Sequence, residues 1–522
     1  MSNSAQVCNL SQLLRQTAAL HPDRAGLVLG ERRWTWREID ARVDALVAAL
    51  RSRGIGPGDR LLVQSRNTLA MFESCWVAFR LGAVWVPVNF RLTPPEVAHL
   101  GASSGAVAML VDDGFEAHVE AVRAAAPALA QVIGMGAEWE ALVEAHRGAA
   151  PFEATVAAGD PLWFFYTSGT TGRPKAGMLT HGQMAFIVTN HLADLIPGTT
   201  EHDVSIAVAP LSHGAATVLL PGEKLDPAVF WQLVERHRVS NLFTVPTLVK
   251  MLVEHPAVNE HDHASLRYMI YAGAPMYRAD QQRALRTLGP VLVQYFGLGE
   301  VTGCITVLPP SMHAADDADP DANVGSCGRP RTGMEVAIFD EQMRRVPVGE
   351  VGEICCRGPG VFAGYHDDAQ ATAKALRGGW FHTGDLGRVD ARGLLYITGR
   401  ESDMYISGGS NVYPREVEEV LLTHPGVAEV AVLGIPDEKW GEVGVAVVVA
   451  RAGVACDAAA LLGHLEGRCA RYRWPRHVVF WDALPKSAYG KITKKDLREQ
   501  LFARGELWES TDLGKTRQSS TA

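Results

Sequence analysis

Helical and strand patterns alternate from about residue 10 to residue 110. "SQLLRQTAAL" and "EIDARVDALVAALRSRG" repeat apolar residues at helical spacing, whereas "AGLVLG", "DRLLVQS" and "LGAVWVPV" are short apolar runs typical of buried strands. The alternation returns in "NLFTVP", "LRYMIYAGAP" and "VLVQYFG". Strands that alternate with helices are typical of parallel sheet with crossover helices. The pattern therefore predicts an α/β fold with a large N-terminal region of α/β subdomains.

The pattern changes twice towards the C-terminus. Between about residues 320 and 400, short strands with frequent Gly, Pro and Asp predict a small β-barrel. After Arg400, the helix-like "REVEEVLLTHP" and the strand-like "VAEVAVLGIP" and "GVAVVVA" predict a small, mobile α+β domain. We therefore expect an N-terminal domain over 1–400, a C-terminal domain over 401–510 and a disordered tail over 511–522.

Composition narrows the class of protein. The chain has 522 residues, 47% of them hydrophobic and 20% charged, as is usual for a globular protein of several domains. A net charge of −9 argues against a nucleic-acid partner. The N-terminus lacks a signal-peptide pattern, no transmembrane segment is indicated, and the eight cysteines have no C-x-x-C spacing. We expect a cytoplasmic location, since a disulfide framework is not indicated.

The most unusual stretch is "YTSGTTGRPKAGMLTH", which begins at Tyr166. It combines three glycines, several hydroxyl side chains and one lysine, between a strand-like and a helix-like segment. It does not match the Walker A loop, because the glycines are too close and no Ser or Thr follows the lysine. Successive N–H groups and hydroxyls still suit a phosphate, although composition alone allows a polar surface turn equally well. The candidate phosphate-binding residues are Thr167, Ser168, Gly169, Thr170, Thr171, Gly172 and Lys175.

A second motif is misleading. "GASSG" matches the G-x-S-x-G nucleophile elbow of hydrolases, which needs a strand before it and a helix after it. Here the order is reversed, so we expect Ser103 to lie at the end of a helix.

Five further stretches follow the loop in order. They are "YAGAP", "QYFGLGEVTG", "WFHTGDLG", "GRESDMYISGGSNVYPREVE" and "PKSAYGKITKKDLR". Together with the loop, they make nearly the whole chain resemble the adenylate-forming acyl/aryl-CoA synthetases. That superfamily also contains peptide-synthetase adenylation domains and beetle luciferases. The resemblance implies that a carboxylic acid and ATP form an acyl-adenylate and pyrophosphate, after which CoA displaces AMP.

The resemblance also implies roles for individual residues. Lys491 matches the catalytic lysine, and Glu300 matches the catalytic glutamate that binds Mg²⁺. Asp385 would accept the ribose hydroxyls of ATP and Arg400 would make a further nucleotide contact. The implied adenine site contains Gly273, Ala274, Pro275, Tyr295, Phe296 and Gly297. For the two aromatic residues, packing in the core is a competing interpretation.

The remaining implied residues concern the acid, the hinge and CoA. The acyl pocket would contain His213, Gly297 and Leu298. The hinge would be Ser402, and CoA would bind at Gly408 and Gly409. The chain departs from the family pattern at two of these motifs: Gly299 stands where a threonine is usual, and Ser402 where Asp or Lys is usual. The stretch after "PLSHG" is also short, either through a deletion or because residues are missing.

The sequence gives less direct information on the identity of the acid substrate than on the reaction. Gly297 stands where acetate-specific relatives carry a tryptophan, so an open channel and an acid larger than acetate are expected. "PLSHG" lacks the aspartate that holds an amino group, which argues against amino acids. We expect a medium or long-chain fatty acid first and an aryl or arylalkanoic acid second. A carrier-protein acceptor, a luciferase-like oxygenase, a non-catalytic nucleotide-binding protein and a homo-oligomeric state stay open.

Overall fold

The computed structural model describes residues 9–167, 174–207, 216–220, 225–274, 276–319, 322–400, 402–408, 410–486, 492 and 494–506. Within these ranges the α-helices are α1 Gln12–Leu20, α2 Trp36–Ser52, α3 Leu69–Leu81, α4 Pro94–Ser104, α5 Glu116–Ala125, α6 Ala137–Ala145, α7 His181–Asn190, α8 Pro227–His237, α9 Pro246–Glu254, α10 Arg278–Leu288, α11 Ala369–Ala375, α12 Pro414–Leu422, α13 Ala458–His464 and α14 Lys494–Ala503.

The strands of the same ranges are β1 Ala25–Leu29, β2 Arg32–Thr35, β3 Arg60–Gln64, β4 Val84–Val88, β5 Ala108–Val111, β6 Gln131–Gly134, β7 Pro161–Thr167, β8 Lys175–Thr180, β9 Val204–Ala207, β10 Ala216–Leu219, β11 Asn241–Thr244, β12 Tyr268–Tyr271, β13 Leu292–Phe296, β14 Thr306–Leu308, β15 Ser326–Pro330, β16 Glu335–Phe339, β17 Gly352–Arg357, β18 Phe381–Val389, β19 Leu395–Arg400, β20 Tyr405–Ser407, β21 Ser410–Val412, β22 Val427–Asp437, β23 Gly441–Ala450 and β24 His477–Phe480. This mixture of helices and strands confirms the predicted α/β class.

The chain divides into two compact units. The first contains residues up to 276 together with 280–336 and 355–382, and the second contains 277–279, 337–354 and the chain from 383 onwards. The second unit thus includes strand segments that precede Arg400, where the sequence places the boundary of a moving domain. Compactness and motion are different properties, so that boundary stays a prediction.

The first sheet of the first unit has the strand order β6-β5-β3-β4-β7-β8. Its pairs are parallel except for β7 and β8, which are antiparallel. The continuous apolar runs of β3 and β5 fit this arrangement, because parallel strands are covered on both faces. Helix α2 begins with a capping box between Thr35 and Glu38 and packs Ile39, Val43 and Leu46 into the core.

The second sheet of this unit runs in the order β15-β14-β13-β12-β11-β9-β10-β1-β2. Each adjacent pair is parallel in the part of this sheet that runs β10-β9-β11-β12-β13. Their carboxyl ends therefore meet at one edge of the sheet, the edge at which open α/β sheets bind ligands. This edge positions the segments that follow β12 and β13.

The second unit contains short strands followed by an α+β fold. Strands β18 and β19 pair antiparallel. Further along, the order is β21-β20-β23-β22, with β24 parallel to β23. Alternate residues of β22 and β23 pack on α12 and α13 on one face and on α14 on the other. The small α+β fold predicted from the sequence is therefore present, and the small β-barrel stays a prediction.

One smaller expectation is also met. Ser103 lies in the last turn of α4, where its Oγ donates to the carbonyl of His99 at 2.7 Å, so it is a helix-end residue. Among the residues that the structure describes, no helix has both the length and the apolar character needed to cross a membrane.

Candidate active site

The carboxyl edge of the second sheet brings the predicted adenine residues together. Strands β12 and β13 are parallel neighbours, with Met269 opposite Leu292. The turn of Gly273 and Ala274 follows the first strand, and the second strand ends with Tyr295 and Phe296. Gly273 has φ +83°, a left-handed conformation that costs a glycine little. The sequence motifs "YAGAP" and "QYFG" thus lie at the ends of adjacent strands.

Glu300 lies just beyond this edge, in a short 3₁₀ turn over Gly299–Val301. The residue is 5% exposed, and its Oε1 accepts hydrogen bonds from Thr167 Oγ1 at 3.0 Å and from Tyr365 Oη at 2.9 Å. Burial and the adjacent carboxylate raise the pKa of the Tyr365 hydroxyl, so that it remains a proton donor. Two hydroxyls therefore orient a buried carboxylate at the end of the phosphate-loop motif.

Lys175 begins β8 at the other end of that loop. Its Nζ is 3.0 Å from Asp368 Oδ2 and 5.6 Å from the centre of the Tyr365 ring. The other carboxylate oxygen of Asp368 accepts from the backbone N–H of Ala371 at 2.8 Å and caps α11. These two contacts, the helix cap first, lower the pKa of Asp368. Lys175 is therefore paired with a carboxylate that competes with any phosphate for its charge.

Asp368→Asn is expected to lower the KM for ATP about two- to fivefold with little change in kcat, a range typical of partly exposed ion pairs. Asparagine keeps the helix cap, because its side-chain oxygen accepts the same N–H, but it cannot neutralise Lys175. Steady-state kinetics at varied ATP measure the effect. Asp367→Asn, at the exposed neighbouring position, is the matched control. Equal KM values for ATP in both variants and the wild type would contradict the competition.

Gly299, the departure from the family pattern, has a packing explanation. A Cβ at this position would lie 2.4 Å from two ring carbons of Phe165 and 2.8 Å from Cγ2 of Thr167. The Phe165 ring therefore takes the space that a side chain at 299 would need. Nearby, Thr302 Oγ1 donates to its neighbouring carbonyl of Val301 at 2.8 Å. The glycine and Phe165 are sterically coupled, so a threonine at 299 would require the ring to move.

Gly297 also has a close neighbour. A Cβ at this position would lie 2.5 Å from both the Cα and the carbonyl carbon of Gly303. Backbone packing is thus sufficient reason for a glycine at position 297. The open channel inferred from this glycine in the sequence is not needed to explain its presence. A tryptophan here would have to displace the backbone of the turn. Leu298, the other predicted acyl-pocket residue that the structure describes, is half-buried and packs with the cluster around Val301 and Cys304.

In the second unit, Asp385 and Arg400 stand opposite each other on β18 and β19. Arg400 Nε donates to Asp385 Oδ1 at 3.0 Å, and Asp385 is 5% exposed whereas the arginine side chain is 51% exposed. The motifs "HTGDLG" and "TGR" are brought together by strand pairing. The pair offers a buried carboxylate held by a half-exposed cation, which suits recognition of hydroxyl groups.

The predicted hinge and CoA positions lie a few residues further along. Ser402 is exposed, and its Oγ is 3.4 Å from Asp403 Oδ1. Gly408 has φ +58° in the turn between β20 and β21, and its N–H donates to the carbonyl of Trp440 at 2.8 Å. A Cβ there would lie 2.7 Å from the Trp440 ring, so this turn also requires a glycine.

Several predicted site residues lie outside the described residues, namely Ser168, Gly169, Thr170, Thr171, Gly172, His213, Pro275, Gly409 and Lys491. Sequence reasoning in turn missed Phe165, Tyr365 and Asp368. The last two belong to "GYHDDAQAT", and the only local signal there is the aspartate at a helix start, which predicts a cap rather than a partner for Lys175.

Comparison with known families gives two matches. Residues 14–366 match the model of the AMP-binding enzyme family, and residues 416–491 match that of the AMP-binding enzyme C-terminal domain. Together they include the phosphate loop, Glu300, Tyr365 and the segment up to Lys491.

Individual relatives are similar over almost the full chain. A feruloyl-CoA synthase from an Amycolatopsis species is 37% identical over 92% of this chain and 97% of its own length. An indoleacetate–CoA ligase from Aromatoleum aromaticum is 35% identical over 96% of this chain and 100% of its own length. Among solved structures, a Mycobacterium tuberculosis fatty acyl CoA synthetase has a TM-score of 0.72 at 30% identity, covering 95% of this chain and 99% of that one.

Proposed function

The chain belongs to the AMP-binding enzyme family as an AMP-forming acid–thiol ligase, and we propose that its acid substrate is an aryl or arylalkanoic acid. The observation that carries the proposal is the similarity to two ligases named for ring-bearing acids, ferulate and indoleacetate, at 37% and 35% identity over more than nine-tenths of the chain. This similarity supports aryl acids over the fatty acids expected from the sequence motifs.

The described residues offer a surface suited to a planar ring. His191, Phe243 and Tyr295 form a row of half-buried rings, with centroid distances of 5.8 Å and 6.0 Å between successive members. Tyr295 is the penultimate residue of β13 and belongs to the predicted adenine motif itself. Aromatic side chains pack edge to face on ligand rings with a gain beyond simple burial, so an acid ring beside Tyr295 would be well accommodated.

A fatty acid is the second candidate. The solved Mycobacterium tuberculosis fatty acyl CoA synthetase aligns with nearly the whole chain at 30% identity. One fold thus carries both substrate classes, and only the acid pocket separates them.

We assign the chemical roles from the family motifs and the contacts around them. Glu300 offers hard oxygen ligands, and its position at the end of the phosphate loop fits Mg²⁺, which would neutralise phosphate charge when bound. Lys175 would hold the terminal phosphates and Asp385 the ribose. Lys491 would bridge the carboxylate and the α-phosphate, since a weak nucleophile attacking a polyanion requires charge neutralisation and fixed geometry.

A panel of acids tests the proposal. Pyrophosphate release should be fastest with aryl or arylalkanoic acids, slower with medium and long fatty acids and slowest with acetate. Parallel reactions with CoA, with a phosphopantetheine carrier protein and with neither identify the acceptor, and thioester should form with CoA. Light emission would indicate oxygenase chemistry. Preference for fatty acids over every ring-bearing acid would overturn the proposed substrate class.

A further inference from the structure

A buried arginine lies against the row of rings. Arg331 follows β15 and is 1% exposed. Its Nη2 is 3.2 Å from Nδ1 of His191, while its Nε and Nη1 have no hydrogen-bond partner among the described residues. A guanidinium is charged at every physiological pH and carries five N–H donors. Burying it with donors unpaired is strongly unfavourable unless an acceptor completes the set.

The nitrogen of His191 that faces Arg331 is Nδ1. Nδ1 is also 2.8 Å from the carbonyl of Ile187, which it could reach only as a donor. That carbonyl also accepts the backbone N–H of His191 at the end of α7. The guanidinium and the carbonyl therefore compete for Nδ1, and Arg331 donates to it only in the tautomer that carries the ring proton on Nε2.

The neighbouring groups do not supply the missing partners. Burial raises the pKa of the Cys304 thiol to about 11, and burial likewise raises the pKa of the Tyr295 hydroxyl, so both stay neutral beside the guanidinium. Asp194 attracts the arginine electrostatically, but its two carboxylate oxygens accept from the N–H and the hydroxyl of Thr332, at 2.7 Å and 3.0 Å. The charge of Arg331 is thus partly balanced, and two of its donor atoms still lack an acceptor among the described residues.

Two independent features associate this arginine with the acid pocket. His191 and Asp194 belong to a single π-helical turn, His191–Leu195, a geometry frequent at functional sites. The backbone N–H of Arg331 donates to the carbonyl of Ile305, directly after the turn that carries Leu298 and Glu300. The guanidinium therefore lies beside the ring row, and the backbone of Arg331 is bonded to the segment that follows the predicted acyl-pocket turn.

We propose that Arg331 is a specificity residue whose free donors bind a neutral oxygen acceptor, a phenol or carbonyl oxygen, on the ring of the acid substrate. A neutral acceptor fits because Asp194 already contributes one negative charge nearby. This inference rests on the proposed function, because it presupposes a ring-bearing acid. A site built to hydrogen-bond a substrate oxygen discriminates strongly against the analogue that lacks it, since the buried donors are then left unpaired.

The test compares Arg331→Met with the wild type on matched acids: cinnamic and 4-hydroxycinnamic acid, and phenylacetic and 4-hydroxyphenylacetic acid. In the wild type, kcat/KM for pyrophosphate release should favour the oxygenated member of at least one pair about tenfold or more, as expected for a hydrogen bond to a charged group. In Arg331→Met this preference should vanish, mainly because kcat/KM for the oxygenated acid falls. Arg329→Met, an exposed position on β15, should keep the wild-type preference.

A second measurement needs no substrate. Because methionine replaces an incompletely paired charge by an apolar chain of similar length, the Tm of ligand-free Arg331→Met should equal or exceed that of the wild type. A lower Tm in Arg331→Met but not in Arg329→Met would overturn the inference, as would retained preference in Arg331→Met or absence of preference in the wild type. If the wild-type enzyme releases pyrophosphate with fatty acids but with none of the ring-bearing acids, the proposed function would be overturned instead.

Discussion

Lys491→Ala is expected to reduce acyl-adenylate formation from acid and ATP by at least about a hundredfold, while thioester formation from synthetic acyl-adenylate and CoA stays close to the wild-type rate. The cation is needed while the carboxylate and the phosphate oxygens approach each other, and removal of one preorganised charge at such a step costs about 10²–10³ in rate. Transfer to CoA starts from a preformed mixed anhydride and depends mainly on an aligned thiol. Both half-reactions are measured on one preparation.

The chain supplies a matched control for this variant. Lys494 and Lys495 lie within four positions of Lys491, and they differ in their surroundings. Lys494 Nζ is 2.9 Å from Glu418, whereas the Lys495 side chain is 77% exposed. Lys495→Ala should leave both half-reactions unchanged, because it removes only a solvated charge. Equal loss of both half-reactions in Lys491→Ala, or undiminished adenylation, would refute the role given to this lysine.

Glu300→Gln is expected to lower pyrophosphate release about 10²–10³-fold at the Mg²⁺ concentration that saturates the wild type. Glutamine preserves the size of the side chain and an acceptor for Thr167 and Tyr365, which donate at 3.0 Å and 2.9 Å. It loses the negative charge that a hard divalent cation prefers in a ligand. Part of the activity should return as Mg²⁺ is raised, since weaker binding is compensated by mass action.

A Mg²⁺ titration of pyrophosphate release measures this effect, with thermal unfolding as the check on folding. Glu341→Gln makes the same chemical change at an exposed position that belongs to none of the family motifs and should behave as the wild type. If Glu300→Gln shows the wild-type Mg²⁺ dependence, Glu300 is not a ligand of the cation. A fall in Tm confined to Glu300→Gln would indicate a structural role for the buried carboxylate.

The ordered motifs determined the family and the reaction class. Local patterns were sufficient for the α/β class and for the elements named from the sequence, because periodicity acts over a few residues: the helix α2 and the end of α4 at Ser103 are examples. That the motifs after β12 and β13 lie at a shared edge follows from the parallel pairing of the two strands, which the structure supplied.

Only the tertiary structure decided which residues far apart in sequence occupy the same space. The Phe165 ring occupies the space that a side chain at position 299 would need, although the two residues are more than a hundred positions apart in sequence. The absence of a threonine at 299 is therefore explained by a contact that no local pattern records. Tyr365 meets Glu300, and Asp368 meets Lys175, because strands and turns from different parts of the first unit converge. The donors of Arg331 that lack a partner among the described residues are a result of folding, which buries a cation that the sequence alone would place on the surface.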